Sequence, residues 1–262
     1  MSERLDILNS FYGQSQEDTR LESSRHGQLE YRITMEYVKR QLKKGDRVLE
    51  IGAGTGRYSI ALAKEGYDVT AVELVESNLA VLKENGTGID SLHAYQGDAL
   101  DLGRFKDGEY DVTLVFGPMY HLYDRADVDR AIAEAVRVTK KGGIILFAFL
   151  SVYAIMYDNY LTEDFMAGIE ENFDGNYKTR HFERQLFTGY DIVEFEQIFE
   201  DKHVEYMTTV AVDSILELAS KRSDFVLTDE GFEEFVKLQL ATCEKRELLG
   251  SSSHLLYICK KK

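Results

Sequence analysis

Proline is almost absent from this chain. Its 262 residues hold 20 glycines and one proline, Pro118. Proline is therefore not routine loop punctuation here, and its single use marks a place where the backbone is held rigid. That place is "FGPMYHLYD", Phe116 to Asp124, where a glycine-proline pair ends an apolar run and leads into an aromatic-histidine cluster. Cysteine is scarce too. Cys243 and Cys259 show no metal-ligand spacing and read as reduced, buried thiols of a cytoplasmic protein. Positive charge is in deficit, with 31 lysines and arginines against 46 aspartates and glutamates, a net charge of −15. Nucleic-acid binding draws on basic surface that displaces counterions from phosphates, so this balance argues against a nucleic-acid partner. No apolar run approaches the roughly 18 residues of a membrane span. The opening "MSERLDILNSFYG" lacks a basic-then-apolar targeting pattern. No grouping of His, Asp and Glu along the chain has metal-ligand spacing, so no metal is expected. The expectation is a soluble, cytoplasmic monomer or homodimer with no membrane partner.

What is present is ordinary core-forming material, 44% hydrophobic and 29% charged. Residues 1–27 are polar and read as an arm with a short helix near Leu5–Phe11. A helical period follows over 28–43. From there to residue 150, apolar strands alternate with helical segments, which is an α/β pattern. The runs "VTLVF" and "IILFAF" do not alternate, as expected of strands buried on both faces of a parallel sheet covered by helices. The pattern breaks at 151–190, a stretch rich in tyrosine and phenylalanine with no clear period. It resumes with a helix, a strand, a helix and a final strand, "SHLLYICKK". The expected organisation is an arm and helix over 1–44, a domain built from 45–150 and 191–262, and an inserted cap over 151–190.

The stretch "VLEIGAGTGRYSIALA" joins a strand to a helix through Gly52, Gly54 and Gly56. Glycines at such a turn let a ligand lie against backbone N–H groups at a helix start. A generic doubly wound turn or a dinucleotide site would have the same outline. The spacing is G-x-G-x-G, however, and Glu50 stands on the strand just before the loop. Glu73 ends the next strand, where a carboxylate can bind both hydroxyls of a ribose. Asp98, in "QGDAL", follows the strand after that and is placed to receive an adenine amino group.

With those residues in order, the chain resembles the class I S-adenosylmethionine-dependent methyltransferases. The resemblance rests on "LEIGAGTGRYS", "VTAVEL", "GDAL" and "YDVTLVFGPMYHL" over roughly residues 45–150. It implies a Rossmann-like, mostly parallel seven-stranded sheet of order 3-2-1-4-5-7-6 with helices on both faces. It implies S-adenosylmethionine as cofactor and S-adenosylhomocysteine as product. Gly52, Ala53, Gly54 and Gly56 would lie beside the methionine part with Glu50, and Glu73 on the ribose. Leu74 would pack on the adenine face, and Asp98 with Ala99 would meet the adenine. Phe116, at the end of the fourth strand, joins that set. The arm and "GPMYHL" are similar to small-molecule methyltransferases of bacterial type, which implies that Tyr12, Arg25 and His26 line the site; a solvated loop is the other reading of Arg25 and His26.

Methyl transfer is an in-line displacement on an activated sulfonium, so positioning and exclusion of water can supply much of the catalysis. An acceptor that must lose a proton also calls for a base. Pro118 would fix the turn that carries His121, which reads as that base or as a histidine holding the loop by hydrogen bonds. Tyr120 joins it as a catalytic candidate. Tyr120 and Tyr123 would wall the acceptor pocket or simply pack. Tyr153 and Tyr157 would line it from the inserted segment, which reads as a cap, a dimer contact or a satellite core. The expected reaction is methyl transfer to a nitrogen or oxygen of a small molecule. The alternatives are a protein or RNA methyltransferase, a non-catalytic S-adenosylmethionine-binding regulator, and a nicotinamide dehydrogenase.

Overall fold

The segments without polar alternation form the centre of one sheet. In the computed structural model, which describes residues 3–13, 17–161 and 164–262, β1 (Arg47–Ile51) pairs in parallel with β2 (Asp68–Glu73) and β4 (Tyr110–Val115). β2 pairs in parallel with β3 (Leu92–Gln96), and β4 with β5 (Thr139–Ser151). Every residue from Ile145 to Ser151 is buried. Residues 1–2 and 14–16 of the expected arm and 162–163 of the expected cap lie outside the described residues.

Both faces of the sheet are covered. On one, Ile51, Val115 and Phe147 meet α6 (Arg125–Val138) through Val128 and Ile132. Phe149 stacks on Phe195 of the helix Ile192–Gln197, ring centroids 3.9 Å apart. On the other, Val48, Leu114 and Leu146 meet Leu29, Ile33 and Val38 of α3 (Arg25–Gln41) and Leu62 of α4 (Arg57–Lys64). Neighbouring residues of one strand thus enter different cores, as the two-residue side-chain period requires. The remaining helices of the first half are α1 (Glu3–Tyr12), the short α2 (Arg20–Ser23) and α5 (Glu76–Asn85). Among the described residues, no helix is long and apolar enough to cross a membrane.

The two late strands are β7 (Val204–Ala211) and β8 (His254–Lys261), and β8 runs antiparallel to both β5 and β7. The strand order is β3-β2-β1-β4-β5-β8-β7, with a two-residue strand β6 (Gly189–Tyr190) paired to the end of β5. With β6 set aside, this is the expected order 3-2-1-4-5-7-6. The additional strand comes from the segment without period, and two residues carry no periodic signal. Within 151–190 the chain forms a helix at Val152–Ile155, a π-helical turn at Met156–Tyr160 and a helix at Phe165–Asn172, with its own small core of Val152, Met156 and Phe173.

Two local features set the floor of the site. The Ser24 side chain accepts from Gly27 N at 3.1 Å, so α3 starts at Arg25, three residues before the apolar period begins. Gly52 has φ +81, and a Cβ there would run into the Phe116 carbonyl oxygen and the Pro118 ring. Gly52→Ala should therefore cost more than about 2 kcal/mol of stability in chemical denaturation. Gly45→Ala is the control, because Gly45 has φ +90 with nothing around the added Cβ. Equal losses in the two variants would show that left-handed backbone, rather than the close approach of two loops, is what excludes a side chain at Gly52.

Candidate active site

All five parallel strands from β1 to β5 end at one edge of the sheet. Because β8 is antiparallel, its first residue, His254, sits at that same edge, opposite Leu150 of β5. The loop after β1 turns back through positive φ at Gly52, Gly54 and Gly56. Gly52 N and Ala53 N donate to Val72 O at 2.8 and 3.1 Å. Glu73, the last residue of β2, accepts from Gly54 N and from Val75 N, each at 2.8 Å. One carboxylate thus ties the glycine loop to the neighbouring strand end. Glu50 is buried and accepts from the Ser59 hydroxyl of α4. Burial pushes its carboxyl up to about 8, against the Ser59 bonds. Asp98 accepts from Leu100 N at 3.0 Å and pairs with Arg4 of α1.

These groups bound one hollow, lined by Gly52, Gly54, Glu73, Leu74, Asp98 and Ala99 on the floor and by Phe116 and Pro118 on the side. Arg4 and Leu8 of α1 line it as well. Ala53 and Glu50 border an adjoining hollow with Thr34, Tyr58 and His254. Gly56 starts α4 as its N-cap. A second, larger cavity of about 520 Å³ lies beyond, lined by Phe11, Tyr12, His26, Tyr120 and Phe187 together with Ile155, Asp158, Glu217 and His254. Tyr12 and Tyr120 border both this cavity and the glycine-loop hollow.

Several sequence candidates stand elsewhere. The Arg25 guanidinium pairs with Asp229 and lies 4.7 Å over the Phe232 ring, so it braces α3 against the helix Asp229–Thr242 and lines none of these hollows. Tyr123 borders a small crevice with Arg4 and Gln185 and lines neither the glycine-loop hollow nor the larger cavity. Tyr153 donates to Asp191 at 2.7 Å, and Tyr157 is 42% exposed. The helical turns from Val152 onward bring Ile155, Asp158 and Asn159 to the cavity in their place. The sequence offered no period there from which that phase could be read.

His121 is 7% exposed and committed at both ring nitrogens. Nδ1 lies 2.7 Å from the Leu186 carbonyl oxygen, which can only accept, so Nδ1 carries the proton. Nε2 then accepts from the Tyr12 hydroxyl at 2.8 Å. Burial lowers the pKa to about 4, with the Arg4 charge adding to the shift and the Leu186 bond opposing it. Of the two readings of this histidine, the hydrogen-bonding one has its geometry here; His121 lines the glycine-loop hollow, while its partner Tyr12 lines both that hollow and the cavity.

A buried ionic cluster completes the edge. Arg20 donates to both oxygens of Glu30, at 2.7 and 3.1 Å. His254 Nδ1 lies 2.7 Å from Asp213 Oδ2 and 3.8 Å from Glu30 Oε2. Burial alone would raise the Glu30 carboxyl, but Arg20 and then His254 hold it near 2. Burial likewise opposes charge on His254, but Glu30 and Asp213 hold its pKa up at about 9. Two carboxylates thus face two cations. Sequence spacing gave no hint of this convergence, which joins α2, α3, the residue after Val212 and the start of β8.

Residues 49–147 match the family described as "Methyltransferase domain". A putative methyltransferase of Bacillus subtilis is 29% identical over 120 residues, 45% of this chain and 48% of that protein. The demethylmenaquinone methyltransferase of Clavibacter sepedonicus is 36% identical over 108 residues, 41% of this chain and 42% of that one. The chain thus spans about half the length of the curated relatives it matches. Among solved structures, an S-adenosylmethionine-dependent methyltransferase of Thermotoga maritima, described as a possible histamine N-methyltransferase, superposes with a TM-score of 0.63 at 20% identity, covering 99% of this chain and 100% of that one.

The His121 geometry has a measurable acid signature. A histidine kept neutral in the folded state has its pKa lowered from 6.5 to about 4, so its contribution to stability is present above 6.5 and is lost as pH falls towards 4. The loss is on the order of 3 kcal/mol. Nitrogen NMR should show the His121 ring neutral, with the proton on Nδ1, throughout pH 5–8. A ring that titrates near 6.5 would remove the buried hydrogen-bonded pair from this description.

Proposed function

We propose that this chain, in which a methyltransferase domain sits within the class I methyltransferase fold, transfers the methyl group of S-adenosylmethionine to a nitrogen or oxygen of a small molecule. The observation that carries this reading is the junction of two spaces. A glycine-floored hollow edged by Glu73 and Asp98 meets an aromatic-walled cavity of about 520 Å³ at Tyr12 and Tyr120, which line both. That volume suits a small molecule. One relative is named a demethylmenaquinone methyltransferase, a name that points to a non-macromolecular acceptor for that protein.

The residues present fit the cofactor. The glycine loop keeps side chains out of the hollow, and the Glu73 carboxylate is already oriented by two backbone donors. Glu73 would hold the ribose hydroxyls, Asp98 with Ala99 and Leu74 the adenine, and Gly52 to Gly56 with Glu50 and Phe116 the methionine part. Arg4 shares Asp98 with that adenine. When bound, S-adenosylmethionine supplies a methyl carbon on an activated sulfonium. The protein's work is then to align the acceptor and exclude water. Tyr12 and Tyr120 stand where the two spaces meet. His121 orients the Tyr12 hydroxyl by accepting from it, and Pro118 and Gly117 hold the 3₁₀ turn (Pro118–His121) that carries both Tyr120 and His121. The arm over 1–44 and the segment 151–190 supply the walls of the acceptor cavity through Phe11, Tyr12, His26, Ile155 and Phe187.

Calorimetry with S-adenosylhomocysteine tests the reading. Charge-assisted bonds are worth about 1.5–3 kcal/mol each, so Glu73→Ala should weaken S-adenosylmethionine and S-adenosylhomocysteine alike, by about 10-fold to 1000-fold. S-adenosylmethionine should raise the melting temperature of the wild-type protein and NAD should not. Stabilisation by NAD alone would overturn the proposal in favour of a dehydrogenase.

A further inference from the structure

The buried ionic cluster does more than tie the arm to the sheet, because its two cations, Arg20 and His254, also line the acceptor cavity. His254 lines that cavity, and its ring has two ends. Nδ1 is held by Asp213 at 2.7 Å. Asp213 is fully buried and held in turn by the Ser252 hydroxyl and by the backbone N–H of His254 at 3.2 Å. Ring rotation would cost that bond, so the orientation is set. Nε2 has no hydrogen-bond partner among the described residues. The Tyr120 ring stands edge-on to the imidazole, centroids 6.2 Å apart.

The charges around this ring decide what Nε2 can do. Glu30 from α3 and Asp213, just beyond β7, are the two carboxylates beside it, and Arg20 from α2 already donates to both oxygens of Glu30. The group balances only with a proton on each nitrogen of His254. Nε2 is then a charged donor at the other end of a ring that lines both the cavity and the adjoining hollow. His26, on the cavity wall, also has a buried ring nitrogen, Nδ1, with no hydrogen-bond partner. Two carboxyl groups line the cavity too, Asp158 and Glu217. Asp158 accepts from the Ser253 hydroxyl at 2.6 Å, and burial raises it to about 6. The walls between are Phe11, Tyr12, Tyr120 and Phe187.

We propose that His254 anchors the acceptor by donating from Nε2 to an anionic oxygen, so that the acceptors of this cavity are small aromatic carboxylates. The proposal deepens the methyltransferase reading and rests on it only for what the bound molecule is for. His254 here positions the acceptor through that oxygen; the methyl-accepting atom is a different one. The imidazolium is a donor and takes no proton from the nucleophile.

Benzoate and benzylamine test this directly, since they share a ring and carry opposite charge at neutral pH. Binding to the full-length protein is measured by calorimetry, with and without S-adenosylhomocysteine. Benzoate should bind at pH 7 more tightly than benzylamine, and its affinity should fall as pH passes about 9, where His254 loses its proton. His254→Gln should lose about 10-fold or more in benzoate affinity. Asp213→Asn removes one of the two charges that hold the proton on His254, so it should keep benzoate binding at pH 6 and move the alkaline loss to lower pH. A merely structural role for Asp213 would weaken binding at every pH alike. Preference for benzylamine, binding of neither compound, or undiminished benzoate binding by a folded His254→Gln variant would each overturn the proposal. If S-adenosylhomocysteine fails to bind the wild type while benzoate follows the expected pattern, the methyltransferase reading falls and the carboxylate site stands.

Discussion

The site depends on two loops that touch with no side chain between them. Gly52 leaves β1 and Phe116-Gly117 leaves β4, and the space at Gly52 is taken by the Phe116 carbonyl and the Pro118 ring. Only a residue without a Cβ allows that approach, and Gly117, at φ +116, needs its own freedom to complete the turn. The single proline follows at once and starts the 3₁₀ turn that presents Tyr120 and His121. A flexible chain here would let two backbone segments drift over the distance that separates the two hollows. The close approach holds the floor of one hollow and the threshold of the other in register.

Electrostatics then divides the buried acids by what surrounds them. Glu50 is buried with a hydroxyl for company and is pushed to about 8, whereas Glu30 is buried beside a guanidinium and is held near 2. The same residue type, equally hidden from water, is held neutral in one place and charged in the other. The strongly acidic balance of the chain therefore says little about the site. What matters is which acids meet a cation, and the arm supplies the guanidinium by bringing Arg20 of α2 onto Glu30 of α3.

What could be read from sequence was what is local along the chain. The β1 turn, Glu50, Glu73 and Asp98 announce themselves because each lies at or just after the end of a strand, and strand ends share one edge of a parallel sheet. The sheet order was implied by the family resemblance those motifs carry, apart from the two-residue β6. His254 escaped because its claim depends on β8 running antiparallel, which reverses which end of the strand reaches the site. Asp158 and Ile155 escaped because a π-helical turn follows a four-residue helix, and no sequence period marks that phase. Arg25 was drawn to the site on resemblance, but the Ser24 cap puts it in the first turn of α3, on the side that meets Phe232 and Asp229. Tyr12 was expected at the site, yet its bond to His121 spans 109 positions of sequence and needed the fold to be seen.

Helix α1 touches the site at both ends. Arg4, near its start, pairs with Asp98 in the glycine-loop hollow, and Tyr12, its last residue, holds His121 beside the cavity. A helix of ten residues is a stiff rod of about 15 Å. The two hollows, separate as spaces, are therefore spanned by a single strut anchored at Asp98 and at His121.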